Sequence, residues 1–127
     1  MPQIAPATIA GLRHHPCDPL ILAVGTDGRP LHGLTDQVDW HLGGLISAMV
    51  KDKCFGHDAP ILRPAHPHLG CGRMILWRIG AATASDIARL IDGLCCERPG
   101  LCPQDFQLSE EEVLRAFGDD LTIYRHS

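Results

Sequence analysis

The stretch Arg73–Leu94, RMILWRIGAATASDIARLIDGL, constrains the fold more than any other part of this chain. Met74-Ile75-Leu76-Trp77 and Ile79 form a short apolar run, the pattern of a strand buried on both faces. Gly80-Ala81-Ala82 breaks the run with small residues. Thr83 or Ser85 can then cap a helix, and Asp86 stands three residues after Thr83, close to a capping box. Ile87, Leu90, Ile91 and Leu94 recur at helical spacing, so one stripe of that helix faces inward. Strand, small-residue turn and amphipathic helix make half of a βαβ unit, and the other elements arrange around it.

A second continuous apolar run, Leu20–Val24, reads as a central strand. The Asp18-Pro19 turn precedes it, and turn residues from Gly25 to Pro30 end it. Upstream, Ile4, Ile9 and Leu12 fit a first strand that Pro2 and Pro6 keep at an edge. A helix starting at Thr35 or Asp36 places Val38, Leu42, Leu45, Ile46 and Met49 inward and runs on to Lys51 and Lys53. Gly43-Gly44 inside it costs roughly 1 kcal/mol per residue relative to Ala. That cost points to close backbone packing, against the sheet or a second subunit.

Phe55-Gly56-His57-Asp58 leaves the helix, Pro60–Arg63 is a brief strand, and Pro64–Gly72 is a loop. Cys95–Gln107 reads as a polar loop. Leu108–Val113 starts a helix, with Ser109 and Glu112 as capping box, Leu108 and Val113 as staple, and three acids at the positive dipole end. Gly118 stops it, and Leu121–Tyr124 follows as a closing strand near an edge. Strands alternating with helical patterns predict a layered α/β fold with a mixed, mostly parallel sheet, one domain over 1–127.

Composition narrows the function classes. Net charge is −4, and no Lys/Arg cluster exceeds a pair, so a nucleic-acid partner is not expected. No stretch is long and apolar enough for a membrane span and no signal segment opens the chain, which makes the cytoplasm the default location. Cys17, Cys54, Cys71, Cys95, Cys96 and Cys102 form no C-x-x-C pair. They read as reduced thiols, several of them small buried hydrophobes.

Asp18–Leu94 resembles the N-terminal, non-catalytic domain of the leucyl aminopeptidase (cytosol aminopeptidase) family. The matching features run in order: the apolar strand Leu20–Val24, the Asp27-Gly28 turn, Leu34-x-Asp36, Gly43-Gly44, Phe55-Gly56, and the Met74 strand with its Gly80 turn. Where the family usually carries Gly-x-Gly, this chain has Ala82 as the second small residue. The resemblance implies a macro-domain-like, three-layer α/β/α sandwich. It also implies that the metal ions sit elsewhere, because the family's Asn-Thr-Asp-Ala-Glu-Gly-Arg motif belongs to a separate catalytic domain and is absent here. No metallopeptidase residue carries over, and the chain is expected to be a stand-alone or excised accessory domain.

Within the chain, His66-x-His68-x-x-Cys71 and His14-His15-x-Cys17 offer side chains a transition metal can use. Their spacing fits no established zinc pattern, so loop histidines and a packed thiol are expected, with no bound metal or cofactor. A reactive Cys17 would need a lowered pKa and an oriented base, neither of which its nearness to His15 in the sequence shows, and no catalytic residue is assigned. Trp40 and Trp77 are expected in the core. Glu110–Glu112 reads as a solvated helix start. Arg78, inside an apolar run, marks either a ligand-facing position or a buried ion pair.

Ligands of open α/β sheets bind outside the carboxyl ends of the strands. There Gly80, Ala81, Ala82, Thr83 and Ser85 lead into a helix N-terminus suited to an anion such as phosphate. Ala81 and Ala82 keep side chains away, Thr83 and Ser85 add hydroxyls, and Gly25 belongs to a second wall. A tight turn alone would need the same small residues.

Two classes of function follow. One is a non-catalytic binding, oligomerisation or regulatory module, self-associating as a dimer or higher oligomer or serving a separate catalytic subunit. The other is a macro-like binder of a nucleotide or ADP-ribose-type ligand. A fragment of a metal-dependent aminopeptidase is a third reading. Under the accessory-domain reading, the chain alone hydrolyses no Leu-p-nitroanilide with added Mn²⁺ or Zn²⁺. Turnover that persists through removal of contaminating peptidases overturns that expectation.

Overall fold

The computed structural model describes residues 3–24, 33–51, 61–64, 71–78, 84–93, 98–118 and 121–126. Leu20–Val24 is a strand buried along its whole length near the middle of a six-stranded sheet. In chain order the strands are β1 (Gln3–Pro6), β2 (Leu20–Val24), β3 (Ile61–Pro64), β4 (Arg73–Arg78), β5 (Gly100–Leu101) and β6 (Thr122–Arg125). Across the sheet they run β1-β6-β5-β2-β4-β3. The ladder of β2 with β4 is parallel, from Leu20 opposite Met74 to Val24 opposite Arg78. β5 pairs in parallel with both β2 and β6, and β6 with β1; β3 runs antiparallel to β4.

Side chains along a strand alternate between the sheet's faces. Leu20, Leu22 and Val24 meet Met74 and Leu76 in one apolar cluster, with Leu12, Leu34, Val38, Ile46 and Met49 packed over them. Those covering residues belong to α1 (Ile9–His14), α2 (Gly33–His41) and α3 (Leu45–Lys51). Ile21, Ala23, Ile75 and Trp77 face the other way, beneath Ile87, Ile91 and Val113 of α4 (Ala84–Asp92) and α5 (Glu110–Phe117). The result is the expected three-layer sandwich. The α5 start is as read from the sequence: Ser109 Oγ accepts the Glu112 N–H at 3.1 Å.

Five local expectations fail, each for a physical reason. Ile9 and Leu12 lie on α1, because Thr8 Oγ1 accepts the Gly11 N–H at 3.0 Å and starts a helix straight after β1. The long helix is two helices. Gly43 and Gly44 have φ of +70° and +86°, and a Cβ on either would meet nothing within 4 Å, so they break the helix and do not pack closely. Asp39, buried at the end of α2, caps α3 across that break: it accepts the N–H groups of Ile46 at 2.7 Å and Ser47 at 3.0 Å. Trp40 stands on the outer face of α2, opposite the side that buries Leu34, Thr35 and Val38, and is 82% exposed, whereas Trp77 is core.

The other two corrections concern the sheet. Cys95–Gln107 contains β5, which pairs on both sides, followed by a 3-10 turn. The closing strand β6 lies inside the sheet with Thr122, Ile123 and Tyr124 fully buried, because β1 pairs outside it. At Gly100 a Cβ would stand 2.8 Å from Cys17 Sγ and from Tyr124 Cε2. Gly100→Ala should therefore cost about 1–3 kcal/mol through overpacking. Trp40→Gln should stay within about 0.5 kcal/mol of wild type. Urea unfolding checks both, and a Gly100→Ala protein of unaltered stability would contradict this packing.

Candidate functional site

The parallel strands end on one edge of the sheet. From β2 the chain continues to β3 and β4 on one side, whereas β5 is followed by β6 on the other. The gap outside the ends of β2 and β5 is thus the topological switch point, where open α/β sheets hold their ligands.

After Leu101 the chain enters Cys102-Pro103, and the 3-10 turn Pro103–Phe106 begins at the proline. Residues three apart eclipse one another on such a turn, which sets Cys102 and Asp105 on the same side. The turn stops at Gln107, in the left-handed region with φ +59°. Asp105 then ties three elements together. Its Oδ2 accepts the Leu34 N–H at 3.0 Å, at the start of α2, and its Oδ1 lies 2.9 Å from His126 Nε2, just past β6. Gly33 is required there: its φ is +60°, and a Cβ would fall 2.1 Å from Asp105 Oδ1. The His126 backbone N–H donates to Gln104 Oε1 at 2.7 Å, fixing the imidazole's approach.

Beside this knot α2 is stitched to the strand ends. Thr35 Oγ1 donates to the Ala23 carbonyl at 2.6 Å, and Gln37 Nε2 to the Ala7 carbonyl at 2.8 Å. A cavity of about 260 Å³ opens between them, lined by Pro6, Ala7, Thr8, Gln37, Arg125 and His126. Arg125 makes a bidentate pair with Glu110, at 2.7 and 2.6 Å, and its guanidinium holds that carboxyl below the usual carboxylate range.

Cys102 Sγ, Asp105 and His126 have their donor atoms within 4.8 Å of one another. The trio has the residue types of a nucleophilic triad without its electrostatics. Burial, and then the Asp105 charge, push the Cys102 thiol up to about 12, the reverse of an activated thiolate. Cys17 and Cys71 are likewise packed thiols, pushed by burial to about 12 and about 11. Burial also raises Tyr124, whose Oη donates to the His15 carbonyl at 2.5 Å.

Of the ligand-loop residues expected from the sequence, Ser85 is exposed in the first turn of α4. Gly25, Gly80, Ala81, Ala82 and Thr83 lie outside the described residues, as do His66 and His68. Val24 and Arg78, which precede those loops, end paired strands. Sequence reading missed Cys102, Asp105 and His126. The available signal was Cys102-Pro103-x-Asp105, whose proline opens a turn that stacks the two donors; His126 carries no local signal.

Two solved structures share this architecture over nearly their whole length. The macrodomain of Mycobacterium tuberculosis DarG superposes with a TM-score of 0.69 at 18% identity, covering 100% of both chains. The macrodomain of Thermus aquaticus DarG gives 0.67 at 12% identity, covering 100% of this chain and 98% of that one. At such identities the likeness establishes a macrodomain-like α/β fold. No protein-family model and no curated protein matches the chain. Of the expectations drawn from the leucyl aminopeptidase resemblance, these matches bear out the macro-like fold and add nothing to the peptidase relation.

Asp105 caps α2 from outside it, so Asp105→Ala should lose about 1–2 kcal/mol, the range of a lost cap. Asp105→Asn retains an acceptor for the Leu34 N–H and should lose less. Urea midpoints of the two variants make the comparison. Equal losses would assign the effect to the charge instead of the acceptor.

Proposed function

We propose that this domain binds a nucleotide or ADP-ribose-type ligand at the carboxyl edge of its parallel strands, without carrying out peptide hydrolysis. One observation carries the reading: on a macrodomain-like sheet, a cavity at that edge gathers Thr8, Gln37, Arg125 and His126 as polar lining beside apolar Pro6 and Ala7. Pockets for small ligands combine an apolar wall with a few convergent polar groups in this way. At about 260 Å³ the cavity suits one moiety of such a ligand. The remainder would lie across the switch point, towards the carboxyl ends of β2 and β4; in the sequence these are followed by Gly25 and by Gly80–Thr83, small residues with one hydroxyl at Thr83.

A stand-alone accessory module of the leucyl aminopeptidase type, or a fragment of such an enzyme, has less behind it. Its support is the ordered set of sequence features, and the glycine pair that suggested an assembly face is a helix break.

Calorimetric and thermal-shift titrations with ADP-ribose, ADP, ATP and inorganic phosphate, in the presence of a chelator, test the proposal. A nucleotide at ~100 times its dissociation constant should add about 2.7 kcal/mol of stability. Absence of a shift with all four ligands would refute it. A shift that persists unchanged in Gly80→Val would keep the ligand and remove that loop from its site.

A further inference from the structure

We propose that Cys102, Asp105 and His126 form a site for a divalent transition-metal ion of the zinc class, with its fourth coordination position facing solvent. The three donors are a thiol, a carboxylate and an imidazole, all mutually within 4.8 Å. A tetrahedral zinc ion with bonds of about 2.0–2.3 Å holds its donors roughly 3.3–3.6 Å apart. The Asp105–His126 contact of 2.9 Å therefore opens by about half an ångström, and Cys102 closes in from the side of the turn.

Asp105 is already oriented by a bond from outside the trio, as metal ligands usually are, and the backbone positions the other two donors. The Leu34 N–H holds Asp105 Oδ2 at 3.0 Å, which leaves Oδ1 turned towards His126. Gln104 Oε1 accepts the backbone N–H of His126 at 2.7 Å. Cys102 is fixed by its place at the head of the 3-10 turn, three residues before Asp105. Access is graded in the same direction. Cys102 is buried, the Asp105 side chain is 11% exposed and that of His126 31%, so an ion enters past the imidazole.

Donor chemistry sets the metal. Thiolate and imidazole favour zinc, cobalt or nickel, whereas magnesium and calcium want an all-oxygen shell. Coordination displaces the thiol proton to solvent, the ion's charge replacing it on sulfur. This site does not rest on the nucleotide reading, because the ion alone is the probe.

Chelator-treated protein is titrated with Co²⁺, then with Zn²⁺. A near-ultraviolet thiolate-to-cobalt charge-transfer band should appear at one ion per chain, together with the visible absorption of tetrahedral cobalt. Zn²⁺ should abolish both and raise the melting temperature, and Mg²⁺ should do neither. The chain has other cysteines and histidines, so two variants decide the location. Cys102→Ser should lose the charge-transfer band. His126→Ala changes a half-buried residue at the edge of the fold, and should bind Co²⁺ at least about tenfold more weakly. Circular dichroism establishes that each variant is folded, and His126→Ala alone decides the matter if Cys102→Ser is not. Absence of a band in the wild-type protein overturns the proposal. So does a band, or an affinity, that is unchanged in the folded variants.

Discussion

The sheet depends on two residues. β5 is Gly100–Leu101, and it joins β2, β4 and β3 on one side to β6 and β1 on the other. So short a strand offers few ladder bonds of its own. Backbone contacts just upstream extend it: Asp18 N–H donates to the Arg98 carbonyl at 2.7 Å, and Thr122 N–H to the Pro99 carbonyl at 2.9 Å. Packing does the rest. Gly100 has no side chain, so Cys17 and Tyr124 close over it on one face, while Leu101 is buried in the cluster under α4 and α5 on the other. A side chain at position 100 would have to displace both neighbours or separate the halves of the sheet.

The brevity of β5 also places the chemistry. Cys102 is still extended and faces away from Leu101; a longer strand would carry Pro103–Asp105 onward in the same form. Here the chain turns at Pro103 within one residue of the ladder's end, and the 3-10 turn brings Asp105 back over the strand ends to meet α2 and His126. The turn that follows the joining strand therefore ties α2 and the end of β6 to the carboxyl edge of the sheet. Fold and site share their determinants, so changes at Gly33 or Asp105 act on both.

Much of the fold could be read from the sequence because its largest elements follow a single period. Leu20–Val24 and Met74–Trp77 are continuous apolar runs and are buried on both faces; Ile87 and Ile91 follow the helical stripe of α4. Reading failed where position in the sheet, not local pattern, decides structure. Gly100–Leu101 has no apolar run, yet it is central; Leu121–Tyr124 alternates no differently from an edge strand, yet β1 covers it. The α2–α3 break was hidden by an apolar stripe that continues across it, while the deciding interaction, Asp39 with the Ile46 and Ser47 N–H groups, spans several residues. The candidate site suffered most. Asp105 and His126 meet only because β5 and β6 are neighbours, and placing β6 at an edge separated them.

The outer strands of the sheet are unlike each other. β1 is bound in parallel and ends at Pro6; β3 is bound antiparallel and ends at Pro64. Proline interrupts the row of donors along a border, a common protection against uncontrolled growth by strand addition. Each proline leaves its border one donor short where the strand ends. Growth of the sheet by strand addition is therefore disfavoured at the carboxyl end of each border.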